Sequence, residues 1–240
     1  MINSNEQNNA DVECICCDLY NLCQLAGLGD ADTQRLDSTL KRRQQIPKDH
    51  VLFDAGEKFR GIFAVKSGAL KTTRELSNNS EQIIDFHIPG ELVGMDAIDS
   101  PAYLHRVIAS ENSSICEMDL EAMKKMNGKY NDFQSSLIQA LTRKVRLDQY
   151  QALLISTKTA EQRLAVFLTA LSSRFQLHGL PANQFRLPVS RKNIANYLGM
   201  AAETVARTFK TFEKKGLIVN NNRNITLIKP EELITLASLN

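Results

Sequence analysis

The pattern of apolar residues changes once along this chain, near Met118, and the change limits the folds that the 240 residues can adopt. Before that point, short apolar runs alternate with turn signals such as Lys66-Ser67-Gly68 and Pro89-Gly90, which favours an antiparallel barrel or roll. After it, glycines become rarer and helical spacing begins near Asn131. We therefore expect an α+β fold. The predicted strands cover residues 51–53, 62–65, 70–76 and 83–88, and a short helix is predicted over 32–40.

A seam of positions in the helical part predicts self-association. These positions recur every three or four residues, which is the pattern of a helix that pairs with a partner helix. We therefore expect a long dimerisation helix over residues 131–157 and a homodimer. The predicted interface consists of Ile138, Leu141, Val145, Asp148, Ala152 and Ile155.

One position of this seam, Asp148, is charged. Two-fold symmetry brings the two copies of Asp148 close together, and carboxylates ~4 Å apart repel by ~1 to 4 kcal/mol, depending on the local dielectric. The predicted dimer is therefore marginal. A marginal dimer suits a switch, because ~5.5 kcal/mol of differential interaction shifts a two-state equilibrium decisively.

The last part of the chain predicts a winged helix-turn-helix. Ser190 can cap a helix, Gly199 permits a sharp turn, and a second helix is predicted over residues 201–215, ended by Gly216. Apolar runs over 217–219 and 225–228 predict a hairpin, which forms the wing. Pro181 and Pro188 bracket a segment that we expect to be an extended linker.

The second helix of this module has the chemistry of a recognition helix. Arg207 can donate two hydrogen bonds to a guanine edge, and Glu203 can accept from a cytosine amine. The alternative is a solvated salt bridge between these two residues, worth only ~0.3–0.5 kcal/mol. Ser190, Arg191, Lys192 and Thr204 nearby, and Arg223 in the wing, can donate hydrogen bonds to DNA phosphates, which favours DNA binding. The predicted DNA-contacting residues are Glu203, Arg207, Ala206, Ser190, Arg191, Thr204 and Lys210.

Four of the five cysteines lie within ten residues, at Cys14, Cys16, Cys17 and Cys23. The chain shows neither an export signal nor an apolar stretch of membrane-spanning length, so we expect a reducing, cytoplasmic location, where metal or redox chemistry is favoured over disulfides. With a distant Cys116, four thiolates suit tetrahedral zinc as well as an iron-sulfur cluster. Cys116 alone could be a buried small hydrophobe, and we regard Cys16 as a bystander.

Composition excludes some classes of function. The formal net charge of +2 is too small for a generally basic nucleic-acid binder, so DNA affinity must come from local clusters of Lys and Arg. No catalytic Ser/His/Asp set, phosphate loop or pair of carboxylates is recognisable, and we expect no enzymatic activity. The four histidines are scattered, and none has a predicted role.

The stretch Ala202-Glu203-Thr204-Val205-Ala206-Arg207 resembles the superfamily of the cyclic-AMP receptor and the fumarate-nitrate reduction regulator, the Crp-Fnr transcription factors. Val65-Lys66-Ser67-Gly68 and the run from Pro89 to Gly94 stand where that family has its roll signatures. The resemblance implies an N-terminal β-roll of the cyclic-nucleotide-binding, jelly-roll type, a dimerisation helix and a C-terminal winged helix-turn-helix. The expected parts are a cysteine-cluster segment over 1–30, a sensor roll over 31–130, the helix over 131–157 and the DNA-binding domain over 158–240.

The cysteine spacing resembles the oxygen-sensing subgroup of this family. That resemblance implies a [4Fe-4S] cluster held by Cys14, Cys17, Cys23 and Cys116, with the cluster-bearing form being the dimeric, DNA-binding one under anaerobic conditions. It also implies palindromic double-stranded DNA sites of the TTGAT type and RNA polymerase as a partner. Ala206 departs from the subgroup, which has Ser there, so the preference for the outer base stays open.

Two further points complete the expectations from sequence. Met95 and Tyr103-Leu104 stand where nucleotide-binding members carry a Glu and an Arg-Ser pair, so we expect no cyclic nucleotide to bind. The alternative function is a Crp-Fnr type regulator that answers another effector or thiol oxidation, with zinc or no metal at the cysteines. An iron-sulfur enzyme or electron carrier would need a substrate pocket or a partner surface, for which the sequence gives no sign.

Overall fold

The computed structural model describes residues 41–77, 80–119, 135, 137–146, 148–149 and 159–238. Its first part is an antiparallel β-roll, as the strand pattern predicts. The strands are β1 Lys41–Ile46, β2 Val51–Phe53, β3 Ile62–Ser67, β4 Leu70–Glu75, β5 Glu81–His87, β6 Leu92–Val93, β7 Arg106–Ala109 and β8 Ser113–Met118. They form two sheets of four strands, in the orders β1-β8-β3-β6 and β2-β7-β4-β5.

Aromatic side chains fill the interior of the roll. The Phe53 ring stacks on the rings of Tyr103 and Phe63, and each of the three is 2% exposed or less. The Tyr103 hydroxyl donates to the carbonyl of Gly61 at 2.8 Å, so its polar end is paired inside the apolar cluster, as burial of a tyrosine requires.

A central helix follows the roll, and its described residues are 135, 137–146 and 148–149. Leu137 and Ala140 are buried, with 9% and 4% exposure, whereas Ile138 is 62% exposed. Positions three and seven residues apart share a helix face, so Lys144 continues the buried side. On that side Lys144 contacts Asp85 of β5, 2.8 Å between Nζ and Oδ2. The adjacent side of the helix carries the predicted seam.

The remaining residues form a winged helix-turn-helix. Its elements are α1 Ala160–Leu177, β9 Gln184–Arg186, α2 Arg191–Leu198, α3 Ala202–Lys214, β10 Ile218–Asn221, β11 Asn224–Leu227 and α4 Pro230–Ser238. Ser190 caps α2 by accepting from the backbone N–H of Asn193, and Gly199 ends it at φ 61°, in the left-handed region. The cap, the turn and the second helix lie where the sequence predicts them.

The winged module packs directly against the outer side of β5. Phe86 is fully buried and its ring lies 4.6 Å from the ring of Tyr197, centroid to centroid. The side-chain oxygen of Asn196 accepts from the backbone N–H of Ile83 at 2.6 Å, and the Asn196 amide donates to the carbonyl of Glu81 at 2.9 Å. One hydrophobic cluster therefore runs from the roll into the helices of the winged module.

The winged module differs from the sequence expectation in three places. The segment expected to be an extended linker contains β9, which pairs with β11 as a third strand of the wing sheet. The wing loop is the pair Asn222-Arg223, shorter than predicted. Helix α1 was not predicted, although the Thr159 capping box with Gln162 marks its start. The predicted helix over 32–40 lies outside the described residues.

Candidate functional site

Helix α3 presents one apolar and one polar face. Val205, Phe209 and Phe212 are fully buried, because spacings of four and three keep them on one side of the helix. Glu203 and Arg207 are exposed on the other side. The apolar face anchors α3 on the module and leaves the polar face open to solvent.

The polar face of α3 is available for a ligand. The alternative reading of Glu203 and Arg207 was an intrahelical salt bridge. In the part of the chain that the structure describes, these two side chains form no ion pair with each other, whereas Lys215, just past the helix, pairs with Glu161 at 2.7 Å. An exposed Arg and Glu one turn apart suit base edges in a major groove. Lys210 is also exposed, and Thr204 and Ala206 are half-buried beside them.

Two arginines expected near DNA phosphates are held inside the winged module. The Arg191 guanidinium donates to Asn220 Oδ1 at 2.6 Å and to the carbonyl of Asn222 at 3.1 Å, and it lies 4.8 Å over the centre of the Phe209 ring. Arg223 donates to the carbonyl of Leu187 at 2.7 Å. Arg191 thus ties the start of α2 to the wing tip and to α3.

The predicted dimer seam is exposed in the single chain. Ile138 is 62% exposed and Val145 is 52% exposed, while Leu141 is half-buried. Large apolar side chains repeated on one exposed side of a helix are typical of an interaction surface. Asp148 also lies in this exposed row and is ion-paired with Lys144, four residues earlier. The remaining predicted seam positions, Ala152 and Ile155, lie outside the described residues.

Cys116 lies on β8, between β1 and β3. Its neighbour Ile115 belongs to the interior cluster of the roll, and successive side chains of a strand point to opposite faces. The thiol therefore points to the outer side of the sheet, where it is 7% exposed. The cross-strand partner of Cys116 is Arg43, on the strand that follows the cysteine segment in the sequence.

This position fits a fourth cysteine ligand. Cys23 precedes Arg43 by 20 residues, and extended chain spans ~3.3 Å per residue, so reach is not a restriction. Cys14, Cys17 and Cys23 lie outside the described residues. Within the described ranges, no three His, Cys, Asp or Glu side chains converge as a metal site.

The two positions expected to replace nucleotide-binding residues lie in different surroundings. Tyr103 fills the interior of the roll, as described above. Met95 lies in a short 3-10 turn, Met95–Ala97, and lines a cavity of about 380 Å³ between β5, the central helix and the end of α1. Neither side chain offers a carboxylate for a ribose or a cation for a phosphate.

Sequence reasoning missed a buried charged cluster around β5. Arg174 of α1 donates from Nε to Glu91 at 2.7 Å and pairs with it a second time at 2.6 Å, a bidentate geometry, and it also donates to the carbonyl of Phe86. His87 makes a 2.7 Å hydrogen bond with the Thr72 hydroxyl. These residues are far apart in the sequence, so no local pattern predicts the cluster. The one local indication is Arg174, which stands among the apolar positions of α1.

Electrostatics keeps the carboxylates of this cluster ionised. Burial opposes the charge of Asp85, but His87, Lys144 and Arg174 together outweigh burial and lower its pKa to about 2. Burial likewise opposes the charge of Glu91, and Arg174 lowers its pKa below the usual range. Both carboxylates are therefore charged at neutral pH, whereas burial lowers the pKa of His87 and favours its neutral imidazole there.

Among the described residues, no helix is both long enough and apolar enough to cross a membrane.

Comparisons with known proteins agree with this architecture. Residues 43–130 match the family model of the cyclic nucleotide-binding domain, and residues 162–236 match that of the Crp-like helix-turn-helix domain. The solved structure of FixK2 from Bradyrhizobium japonicum superposes with a TM-score of 0.75 at 25% identity, covering 84% of this chain and 99% of that one.

Two characterised relatives match over nearly their whole length. The transcriptional activator protein anr of Pseudomonas aeruginosa is 40% identical over 93% of this chain and 92% of its own. The fumarate and nitrate reduction regulatory protein of Vibrio cholerae is 34% identical over 95% of this chain and 91% of its own.

Proposed function

The chain belongs to the Crp-Fnr family of transcriptional regulators, and on that premise we propose that it is an oxygen-responsive regulator in which a [4Fe-4S] cluster controls homodimerisation and DNA binding. It is a regulator and not an enzyme. The observation that carries the proposal is the position of Cys116, on the outer side of the sheet beside the strand that connects to the cysteine segment.

Cys14, Cys17, Cys23 and Cys116 would hold the cluster. The relative from Vibrio cholerae, named for fumarate and nitrate reduction, supports a role in respiration without oxygen. When bound, the group supplies an oxygen-labile link between the cysteine segment and β8. Because β8 pairs with β1 and β3, a displacement of Cys116 would also displace the neighbouring strands of its sheet.

DNA binding follows from the dimer. Ile138, Leu141 and Val145 pack against a partner helix. The two winged modules of the dimer then bind two DNA half-sites about one helical turn apart. A monomer loses the gain from simultaneous binding, so dissociation silences the regulator. Glu203 and Arg207 contact bases of a TTGAT-type half-site, with Thr204 and Ser190 among the phosphate donors.

Three parts of the proposal concern partners and location. The regulator acts with RNA polymerase in the cytoplasm and can activate or repress according to the promoter. It binds no cyclic nucleotide, because Met95 and Tyr103 provide neither the carboxylate nor the cation that such a ligand needs. The proposed domains keep the boundaries expected from sequence, which are 1–30, 31–130, 131–157 and 158–240.

The experiment is to purify the full chain without oxygen, measure iron and acid-labile sulfide, and follow its mass by sedimentation before and after exposure to air. We expect about four irons and four sulfides per chain, a dimer before air and a monomer after. Cys116→Ser and Cys23→Ser should lose iron, dimer and operator affinity together, whereas Cys16→Ser, the matched control, should keep all three.

Two outcomes contradict the proposal. Bound zinc without sulfide would favour the regulator that answers thiol oxidation or another effector. An unchanged oxygen-free affinity of Cys116→Ser for a TTGAT palindrome would remove the fourth ligand and with it the link between the cysteine segment and the roll.

A further inference from the structure

Lys144 lies between two carboxylates that belong to different parts of the molecule. Its ammonium is 2.8 Å from Oδ2 of Asp85, on β5 of the roll. The same ammonium pairs with Asp148, one turn further along the central helix and in the exposed dimer seam. A single positive charge is therefore shared between the roll and the predicted interface.

The two carboxylates differ strongly in their surroundings. The Asp85 side chain is 11% exposed and the Asp148 side chain 51% exposed. Asp85 also accepts from the backbone N–H of Phe86 at 2.8 Å, which holds its carboxylate in place, and His87 and Arg174 lie beside it. Because a buried charge needs its partner more than a solvated one does, Asp85 competes for Lys144 from a fixed position.

The helix and the cavity leave room for this competition. Lys144 is on the side of the helix that faces the roll, with Leu137 and Ala140, and Asp148 is at the border between that side and the seam. A cavity of about 380 Å³ adjoins Lys144, Asp85 and Asp148, so the flexible lysine can move between its partners without displacing packed side chains.

We propose that the Lys144 ammonium neutralises Asp148 in the seam and that Asp85 competes for the same ammonium. This competition sets the dissociation constant of the dimer. When Lys144 is held by Asp85 alone, the two Asp148 carboxylates of a dimer face each other without compensation and repel. When Lys144 is released to Asp148, the repulsion falls. A displacement of β5 relative to the central helix thereby changes the dimer equilibrium through one ion pair.

This inference rests on the homodimer of the proposed function but not on its cluster. It is tested by sedimentation equilibrium of the full chain in its cluster-free form, at low ionic strength, because screening weakens exposed pairs. Asp85→Asn keeps an oxygen for the Phe86 N–H and removes the competing charge, and it should tighten the dimer about threefold to tenfold. Lys144→Met should weaken it by a similar factor.

Coupling distinguishes the proposal from a general loss of stability. In an Asp148→Asn background, both Asp85→Asn and Lys144→Met should leave the dimer constant unchanged within about twofold, because the charge that they act on is gone. The control is Lys229→Met, which removes the same charge from an exposed pair with Glu232 in the winged module and should change nothing.

The opposite direction overturns the idea. If Asp85→Asn weakens the dimer or leaves it unchanged, or if the effect of Lys144→Met persists in Asp148→Asn, then the shared charge does not control association. Should Asp85→Asn fail to fold by circular dichroism, the comparison of Lys144→Met with and without Asp148→Asn decides the question alone. Iron and sulfide contents, measured separately, report on the cluster and are not altered by either result.

Discussion

Two glycines of the roll show how the surroundings of a residue determine how much its replacement lowers the free energy of unfolding. Gly56 and Gly68 have nearly the same positive φ, 84° and 82°, so both have a backbone that other residues rarely adopt. Their neighbourhoods differ. A Cβ on Gly56 would meet nothing within 4 Å, whereas a Cβ on Gly68 would lie 2.3 Å from the Ser113 hydroxyl and 2.6 Å from the carbonyl of Asn112.

We predict that Gly68→Ala is much more destabilising than Gly56→Ala. The conformational strain alone should cost Gly56→Ala about 1 kcal/mol, and the clash with backbone should add about 2 kcal/mol more for Gly68→Ala. Urea unfolding of the two variants at pH 7 measures both free energies. Equal losses would mean that the β7–β8 turn gives way easily and that Gly68 is needed only for its φ.

At the scale of an element, two exposed polar residues of α3 are suited to different contacts with DNA. Arg207 is an exposed guanidinium near the middle of the helix, and Lys210 follows one turn later on the exposed side. A planar guanidinium can make a bidentate contact with a guanine, whereas an ammonium is better suited to a phosphate as a point charge. The two residues should therefore contribute differently to DNA binding.

We predict that Arg207→Ala costs about 1–3 kcal/mol on the specific site and relaxes the preference at one base pair, whereas Lys210→Ala weakens all sequences alike and lowers the salt slope by about 1. Fluorescence anisotropy titrations, with a TTGAT palindrome and singly substituted sites at several salt concentrations, separate the two effects. Uniform weakening by Arg207→Ala would place Arg207 on the phosphates instead.

At the scale of the whole molecule, the winged module and the roll are joined by a buried ion pair. Arg174 holds Glu91 in a bidentate contact, and next to it a Cβ on Gly90 would meet the His178 ring at 2.4 Å. Such a close approach of two domains through charged groups is sensitive to protonation. Asp85 and Glu91 have pKa values below their usual ranges.

We predict that this junction is weakened by acid. A carboxylate with a depressed folded-state pKa stabilises the fold fully above its unfolded value, 4.5 for Glu91, and loses that contribution as the pH falls through the folded value. Urea unfolding should therefore show that the wild type loses stability more steeply than Glu91→Gln as the pH falls below about 4.5. At pH 7 the variant should be less stable by about 1–3 kcal/mol, and parallel pH curves would contradict this role of Glu91.

Much of the architecture was accessible from the sequence because its signals are local. Turn glycines and alternating apolar residues marked β2 to β5, and the Ser190 cap, Gly199 and the apolar spacing of α3 marked the helix-turn-helix. The strand β9 was missed because a three-residue strand between prolines has no local signature of pairing. The cysteine ligands and base-contacting residues stay predictions, and of the cysteines only Cys116 is described.

The sequence by itself determined the order of roll, helix and winged module, and the polar face of the recognition helix, because each depends on spacing within a few residues. Only the tertiary structure decided that Arg191 braces the wing, that Arg174 joins Glu91, and that Lys144 is shared by Asp85 and Asp148. Glu91 and Arg174, like Asp85 and Lys144, are distant in the chain and meet where β5 and the turn after it pack against two helices. Charge pairs of this kind have no period or motif, so the fold alone brings them together.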